Sequence, residues 1–251
     1  MFFEQIGKRI YWLKVPYFDI YTSVFAIVDG KQCVLFDCGD SSSDVEKIIL
    51  PALQNAGLKP DILVLSHLHQ DHSGGADALK IAYPDLRVLS FDPLALNGIK
   101  CKVEKLDIEN KLTPHVKVMH LPGHSHDCVA LFETEEKILL SGDALQQWGI
   151  DRWGTCVTDG RSYRRSIDRV ATLGPKRIVA SHDFDPLGQD FEGRENIEEM
   201  LSECQETFYD IEDLIYDYPN KSAEVLVSLY ARLYPTRPVA ASATFKAMLS
   251  K

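Results

Sequence analysis

The segment richest in possible chemistry is residues 66–75, which read Ser-His-Leu-His-Gln-Asp-His-Ser-Gly-Gly. Three of the chain's eight histidines and one aspartate fall within six successive positions of this segment. Imidazole nitrogens and carboxylate oxygens are ligands that suit zinc, iron and manganese, and a folded core has little other use for so many titratable groups together. The segment therefore predicts a metal site with four candidate ligands, which are His67, His69, Asp71 and His72.

The candidate ligands follow segments that predict β-strands. Residues 61–66 contain a continuous apolar run, which indicates a strand covered on both faces, and the histidine-rich segment follows it directly. Three later apolar runs are likewise followed by a candidate ligand: residues 116–121 precede His124, residues 137–140 precede Asp143, and residues 177–180 precede His182. In layered α/β folds, loops at strand ends bring distant side chains around one crevice. We therefore expect all four strand ends to share one site.

The N-terminal part predicts a hairpin and then a helix. Residues 21–28 and 32–37 are β-branched and aromatic runs joined at residues 29–31, Asp-Gly-Lys, which is a strong hairpin pattern. A helix capped by serine is predicted to begin at Ser43, and Gly57 is expected to end it.

The later segments predict further helices. One is expected over about residues 75–83 and another over residues 162–173, where apolar residues at helical spacing mark Tyr163 as a core residue. From residue 191 onward an apolar stripe recurs with helical period. We predict a metal-binding domain in residues 1–190 and a C-terminal helical extension packed on it in residues 191–251.

The net charge of −10 is concentrated in one segment. Residues 190–218 contain eleven Asp or Glu and only one basic residue, Arg194, so the other 222 residues are close to neutral. We interpret this acidity as the solvated face of one helix. Because the chain lacks the basic groove that phosphate backbones require, a nucleic-acid partner is not expected.

Composition predicts a soluble protein. No apolar run approaches the roughly 18 residues that a membrane span requires, and residues 1–8 contain no hydrophobic signal core. The six cysteines form no Cys-x-x-Cys pair, so we interpret them as reduced thiols and assign none to a metal. We expect a cytoplasmic location, a small-molecule substrate and no membrane partner, and we assign no oligomeric state.

The four ligand segments resemble the ordered motifs of the metallo-β-lactamase superfamily. The resemblance covers roughly residues 20–185 and rests on His67-x-His69-x-Asp71-His72, Pro122-Gly123-His124, Ser141-Gly142-Asp143 and Ser181-His182. It implies an α/β fold, a four-layer αββα sandwich with two metals at one edge, and leaves the helical extension outside. It does not define the substrate, because the superfamily includes lactamases, glyoxalase II-like thioesterases, lactonases, phosphodiesterases, nucleases, persulfide dioxygenases and flavodiiron proteins.

The resemblance also implies how the ligands are divided between two metals. His67, His69 and His124 are expected to bind the first metal, Asp71, His72 and His182 the second, and Asp143 to bridge the two. Histidine at position 69, where flavodiiron proteins typically carry glutamate, favours two zinc ions over a flavin-coupled iron pair. Two divalent ions, two carboxylates and a bridging hydroxide leave a net charge of about +1, which suits an anionic or carbonyl-bearing substrate.

Further residues have predicted roles around the metal centre. Asp71 is the predicted catalytic residue, expected to orient the hydroxide and pass on its proton. Asp37 resembles the superfamily's structural aspartate after the hairpin, and both a turn role and a role in orienting a ligand histidine fit its position. His126 is interpreted either as a proton donor or substrate contact, or as a surface histidine. Further candidates for the walls of a substrate pocket are Tyr17, Trp148, Trp153 and Arg161.

Together these expectations predict a dinuclear zinc hydrolase that uses a metal-bridging hydroxide on a small ester, thioester, lactone or phosphodiester. The acidic C-terminal segment differs from the basic residues that glyoxalase II enzymes present to glutathione, which weakens that particular assignment. One alternative is a mononuclear iron oxidoreductase of the persulfide dioxygenase kind. Another is a non-catalytic binding protein that keeps the metals for structure, although a bridging carboxylate is more than a closed structural site requires.

Overall fold

Two β-sheets form the centre of the computed structural model, which describes residues 1–95, 98–147, 155–184, 187–234 and 242–249. The first sheet has seven strands, in the spatial order β1 (Glu4–Gln5), β2 (Ile10–Tyr17), β3 (Ile20–Asp29), β4 (Gln32–Phe36), β5 (Ile62–Leu65), β6 (Arg87–Ser90) and β7 (Val103–Lys105). Pairing is antiparallel from β1 to β4 and parallel from β4 to β7. All four residues of β5 are buried, as its unbroken apolar sequence predicts.

The second sheet contains six strands, which are β8 (Lys111–Thr113), β9 (Val116–His120), β10 (Val129–Glu133), β11 (Ile138–Gly142), β12 (Arg177–Ala180) and β13 (Asp190–Glu192). In space they follow chain order, with β8 and β13 at the two edges. Only β11 and β12 pair in parallel. Strand β13 pairs with β12 and continues this sheet to residue 192, and the division of the chain after residue 190 stays a prediction.

Helices cover both outer faces of the sandwich. The short helices α1 (Ser42–Asp44) and α3 (Gln70–Ser73) accompany the helical segments that pack against the first sheet, which are a π-helical turn (Val45–Ile49), α2 (Leu50–Ala56) and α4 (Ala76–Ala82). Against the second sheet lie α5 (Gly160–Leu173) and α6 (Arg194–Asp217), and α6 also packs against α7 (Ala223–Leu233) and α8 (Ser242–Leu249). None of the helices in the described part of the chain combines the length and apolar character needed to cross a membrane.

Three layers of apolar side chains separate these four layers of structure. Residues such as Phe25 and Val64 from the first sheet meet Leu131 and Leu140 from the second in the central layer. A second layer lies between the first sheet and its helices. A third includes Tyr163 of α5, which is fully buried as predicted. The arrangement is the predicted αββα sandwich with C-terminal helices.

Two helices begin earlier than predicted because their caps lie upstream. The first begins at Ser42, since the Ser41 side chain accepts a hydrogen bond from the Asp44 amide while the Asp44 carboxylate accepts one from the Ser41 amide. This capping box replaces the predicted start at Ser43. Similarly, the Asp159 carboxylate accepts hydrogen bonds from two amides of the first turn of α5, so α5 begins at residue 160.

A polar network joins the two sheets at the end where β3 turns into β4. The buried Asp29 carboxylate accepts hydrogen bonds from the Thr113 hydroxyl (2.6 Å) and from the amide and Nδ1 of His115 (2.9 and 2.8 Å). Arg9 lies 3.3 Å from Asp29 and 3.1 Å from Glu133. Burial by itself disfavours the charged form of Asp29, but the hydrogen bonds from Thr113 and His115 outweigh it and lower its pKa to about 2.

Replacing Asp29 by asparagine is expected to lower the free energy of unfolding by about 1 to 2 kcal/mol near neutral pH, because a neutral amide accepts these hydrogen bonds less strongly. The folded-state pKa lies below the unfolded value of 3.8, so the wild-type advantage is complete above about pH 4 and is lost as the pH falls through about 2. Urea unfolding of both proteins between pH 7 and pH 2.5 measures this. A stability difference that does not change with pH would contradict it.

Candidate metal centre

All seven predicted ligands lie together where strands of both sheets end. The loop after β5 and helix α3 carry four of them, and single ligands follow β9, β11 and β12. Their ligand atoms form two groups, and within each group the atoms lie within 4.8 Å of one another. One group consists of His67, His69, His124 and Asp143, and the other of Asp71, His72 and His182. This grouping is the one that the resemblance implied, with Asp143 counted in the first group.

Asp143 contacts both groups. Its Oδ2 lies 3.6 Å from Nε2 of His124 in the first group and 3.4 Å from Nε2 of His182 in the second. Its Oδ1 lies 3.5 Å from Nε2 of His72, also in the second group. A carboxylate that lies this close to histidines of both groups has the placement that a bridging ligand needs.

The polar atoms of the centre fit metal ions better than they fit one another. Nε2 of His67 and Oδ1 of Asp143 are buried without a hydrogen-bond partner, which is rare for buried polar atoms. Imidazole nitrogens also face each other directly: Nε2 of His124 lies 2.9 Å from Nδ1 of His69, and Nε2 of His72 lies 3.3 Å from Nε2 of His182. Divalent cations between these nitrogens and carboxylates would satisfy all of them.

The electrostatics favour bound cations. Burial lowers the pKa of His67 well below its usual value and that of His124 to about 4, so both imidazoles are neutral and able to bind a metal. Burial also opposes a positive charge on His182, but the carboxylates of Asp143 and Asp71 together outweigh it and raise the pKa of His182 to about 10. Carboxylates that attract a proton so strongly would equally attract a metal ion.

Asp37 and Ser66 hold the imidazoles of two candidate ligands from behind. Asp37 Oδ2 lies 2.8 Å from Nδ1 of His72, and its Oδ1 accepts a 2.7 Å hydrogen bond from the Ser66 amide. The Ser66 hydroxyl lies 2.9 Å from Nδ1 of His67. Asp37 has a φ of 66°, an uncommon left-handed conformation for a residue other than glycine. Of the two roles open to Asp37, the structure therefore shows the one that orients a ligand histidine.

Local backbone features determine where the ligands lie. Gly74 and Gly75 follow the ligands of α3, and a Cβ at either position would collide with the carbonyl oxygens of Asp40 and Cys38. Their absence of side chains lets the loop after β4 press directly against α3. In the second sheet, the register between β11 and β12 shifts at residues 140–142, directly before Asp143. A bulge at this point redirects the chain as the strand ends.

Two further orienting contacts come from backbone carbonyls that no sequence pattern singles out. Nδ1 of His124 donates a 2.8 Å hydrogen bond to the carbonyl of Cys156, and Nδ1 of His182 donates a 2.8 Å hydrogen bond to that of Tyr21. Every residue has a carbonyl, so no residue type marks these positions. The only sequence signal for Ser66 as an orienting residue is its position next to His67.

The candidates for a substrate pocket belong to neither ligand group among the described residues. His126 has a side chain that is 58% exposed, and its Nε2 lies 3.0 Å from the Asp92 carboxylate. Tyr17 is half-buried at the end of β2, and Arg161 is exposed in the first turn of α5. Trp148 and Trp153 lie outside the described residues. A role for any of them in binding substrate remains a prediction.

The two mixed groups of histidine and aspartate lie at strand ends of an αββα sandwich, which defines this chain as a protein of that fold with a candidate metal centre. The profile described as the Metallo-beta-lactamase superfamily matches residues 18–89 and 102–182. The chain belongs to this superfamily, as its motifs predicted.

The individual relatives share low sequence identity with this chain. The Beta-lactamase-like protein 2 homolog of Drosophila melanogaster is 28% identical over 187 residues, which cover 67% of this chain and 61% of that protein. The hydroxyacylglutathione hydrolase of Pectobacterium carotovorum is 28% identical over 157 residues, 61% of this chain and 58% of the relative. The chain therefore matches about three fifths of the length of these curated relatives.

The fold has a counterpart among solved structures. A metallo-beta-lactamase from Erythrobacter litoralis superposes with a TM-score of 0.64 at 21% identity, covering 81% of this chain and 96% of that protein. This similarity confirms the predicted fold. The names of the relatives agree with the prediction of a metallo-hydrolase.

Asp37→Asn is expected to weaken the binding of one metal ion by about 10- to 100-fold, because an amide holds the His72 imidazole less firmly than a carboxylate does. Competition with a chromophoric chelator measures the two binding constants. Asp29→Asn is a matched control, since Asp29 is also buried and lies 2.8 Å from a histidine Nδ1 but outside both ligand groups. Equal losses of affinity in the two variants would show that Asp37 acts only through overall stability.

Proposed function

We propose that this protein is a zinc-dependent hydrolase with two metal ions, acting on a small ester, thioester, lactone or phosphodiester. The position of Asp143 carries the proposal, because its two carboxylate oxygens lie within 3.6 Å of histidines from both ligand groups. A purely structural site would not need two adjacent groups that share one carboxylate. Five imidazoles and two carboxylates are ligands that suit zinc.

Zinc bound at both groups would supply a water nucleophile at neutral pH and stabilise the negative charge that develops on the substrate. The role that we assign to Asp71 is to orient this water and to accept its proton. Asp71 Oδ2 lies 3.3 Å from Nε2 of both His72 and His182 and accepts a 3.4 Å hydrogen bond from the Thr22 hydroxyl. Its side chain is 12% exposed, whereas that of Asp37 is completely buried, so Asp71 is accessible from the solvent side.

The neighbouring residues would keep this base in place. His182 is fixed from behind by the Tyr21 carbonyl, and His72 by the Asp37 carboxylate. Both imidazoles therefore present Nε2 to Asp71 and Asp143. Burial disfavours a charged Asp71, but His72 and His182 outweigh it and keep its pKa below the usual value, so the carboxylate is ionised at neutral pH.

Thioesters and esters are the substrates to examine first. A relative named hydroxyacylglutathione hydrolase supports an acyl substrate. The acidic side chains of α6 differ from a surface suited to an anionic glutathione group, so the panel should include thioesters with and without glutathione. Lactones and phosphodiesters complete it.

Metal analysis tests the proposed centre. Protein purified without chelator or added metal is expected to contain about two zinc ions per chain by plasma mass spectrometry. Asp143→Ala should lose zinc, because both groups share that carboxylate. About one iron per chain, together with oxygen uptake in the presence of a persulfide, would instead establish the iron oxidoreductase.

Asp71→Asn is expected to lower kcat by about 100- to 10,000-fold while most zinc is retained, because the amide keeps a ligand oxygen but is not a base. Hydrolysis of the best substrate from pH 5 to pH 9 measures this, with zinc content determined on the same samples. Asp29→Asn, which changes a buried aspartate outside the centre, should keep wild-type kcat. Full activity of Asp71→Asn would exclude Asp71 as the proton acceptor.

A further inference from the structure

The C-terminal helix α8 reaches the segment that supports a candidate metal ligand. Thr244 in α8 is fully buried, and its hydroxyl donates a 2.8 Å hydrogen bond to the Thr155 carbonyl and accepts a 2.9 Å hydrogen bond from the Val157 amide. Those two residues flank Cys156. The Cys156 carbonyl in turn accepts the 2.8 Å hydrogen bond from Nδ1 of His124.

We propose that Thr244 is a positioning residue for His124. One hydroxyl fixes the backbone on both sides of Cys156, and so fixes the direction of the carbonyl between them. That carbonyl keeps the proton of His124 on Nδ1 and leaves Nε2 free, because the hydrogen bond made by one ring nitrogen determines the state of the other. Nε2 of His124 then faces Nδ1 of His69 at 2.9 Å, inside the first ligand group.

A second contact joins the same segment to Asp143. Gln146 is buried, its side-chain oxygen accepts a 3.3 Å hydrogen bond from the Cys156 amide, and its side-chain nitrogen donates a 3.0 Å hydrogen bond to the Asp143 carbonyl. The Tyr163 hydroxyl holds the Gln146 backbone by two 2.8 Å hydrogen bonds. Cys156 is thus fixed through its amide by Gln146 and through its neighbours by Thr244. The hydrogen bonds of Gln146 and Thr244 thus connect this segment to two residues of the first ligand group, Asp143 and His124.

Packing among the C-terminal helices sets the position of Thr244. Its neighbour Phe245 is fully buried in a cluster with Ile211 and Leu214 of α6 and with Tyr230 of α7. The ring centroids of Phe245 and Tyr230 lie 6.3 Å apart. The helical extension therefore supports the metal centre through the segment around Cys156, although its own residues lie outside both ligand groups among the described residues.

The chain provides a closely matched control. Thr207 of α6 is also fully buried, but its hydroxyl donates a 2.8 Å hydrogen bond to the Glu203 carbonyl one turn earlier in the same helix. Thr207→Val and Thr244→Val remove the same atom from the same layer of helices. Only the second removes a contact to the segment around Cys156. Thr244→Ser keeps the hydroxyl and removes a methyl group.

The test measures the two zinc affinities of the full chain by chelator competition, with cobalt absorption spectra to report the ligand geometry. Thr244→Val should weaken one of the two zinc affinities by about tenfold and shift the cobalt bands, because loss of a contact that orients a ligand typically reduces metal affinity by about 10- to 100-fold. Thr244→Ser should stay within about twofold of wild type. Thr207→Val should match wild type. Circular dichroism at the same temperature confirms that each variant is folded.

The inference rests on the proposed metal centre. A second measurement therefore distinguishes a failure of the inference from a failure of the proposed function. Nitrogen-15 NMR of the histidine rings reports the tautomer of His124 in the full chain with and without zinc. Without zinc, wild type should show the proton on Nδ1 and Thr244→Val should show a mixture; with zinc bound at Nε2, both should show it on Nδ1. Unchanged affinities and an unchanged tautomer in Thr244→Val would overturn the inference but leave the hydrolase intact. Equal damage in Thr244→Ser and Thr244→Val would also overturn it, by showing that packing matters and the hydroxyl does not.

Discussion

The concentration of charge at one edge of the sandwich is the constraint on which the rest of the structure depends. Asp71 and Asp143 are buried there beside five imidazoles, and removing carboxylates from water is expensive unless opposite charge compensates. The ligands come from strands of both sheets, so the two halves of the sandwich must pack in one register to bring the compensating groups together. A cation at this edge would therefore hold the two sheets together as well as take part in chemistry.

Backbone and side chains share the support behind the ligands. The carbonyls of Tyr21 and Cys156 hold His182 and His124. The side chains of Asp37 and Ser66 hold His72 and His67. Each contact engages the ring nitrogen that faces away from the centre, which fixes both the tautomer and the orientation of the ring. Precision at the centre thus depends both on how strands and loops are packed and on a few supporting side chains.

The aspartates on either side of strand β4 have different roles, one in stability and one at the metal centre. The aspartate before it, Asp29, joins the two sheets through Thr113 and His115, and the aspartate after it, Asp37, adopts a left-handed backbone conformation to reach His72. Such strain is tolerated where the surrounding structure determines the position completely. The two ends of one buried strand therefore carry similar aspartate–histidine pairs with different tasks.

The amino-acid sequence by itself determined the hairpin, the seven candidate ligands, the superfamily and six of the thirteen strands in the described residues, because apolar periodicity and dense histidine motifs are local patterns. It placed the start of the first helix wrongly, since Ser41, Ser42 and Ser43 are equivalent until the Asp44 carboxylate selects one as the cap. Only the tertiary structure decided which atoms hold the ligands. Thr244 acts on a carbonyl 89 residues away, and Cys156 acts through a group that every residue possesses. Contacts of this kind arise when helices and sheets pack, so no pattern of residue types along the chain records them.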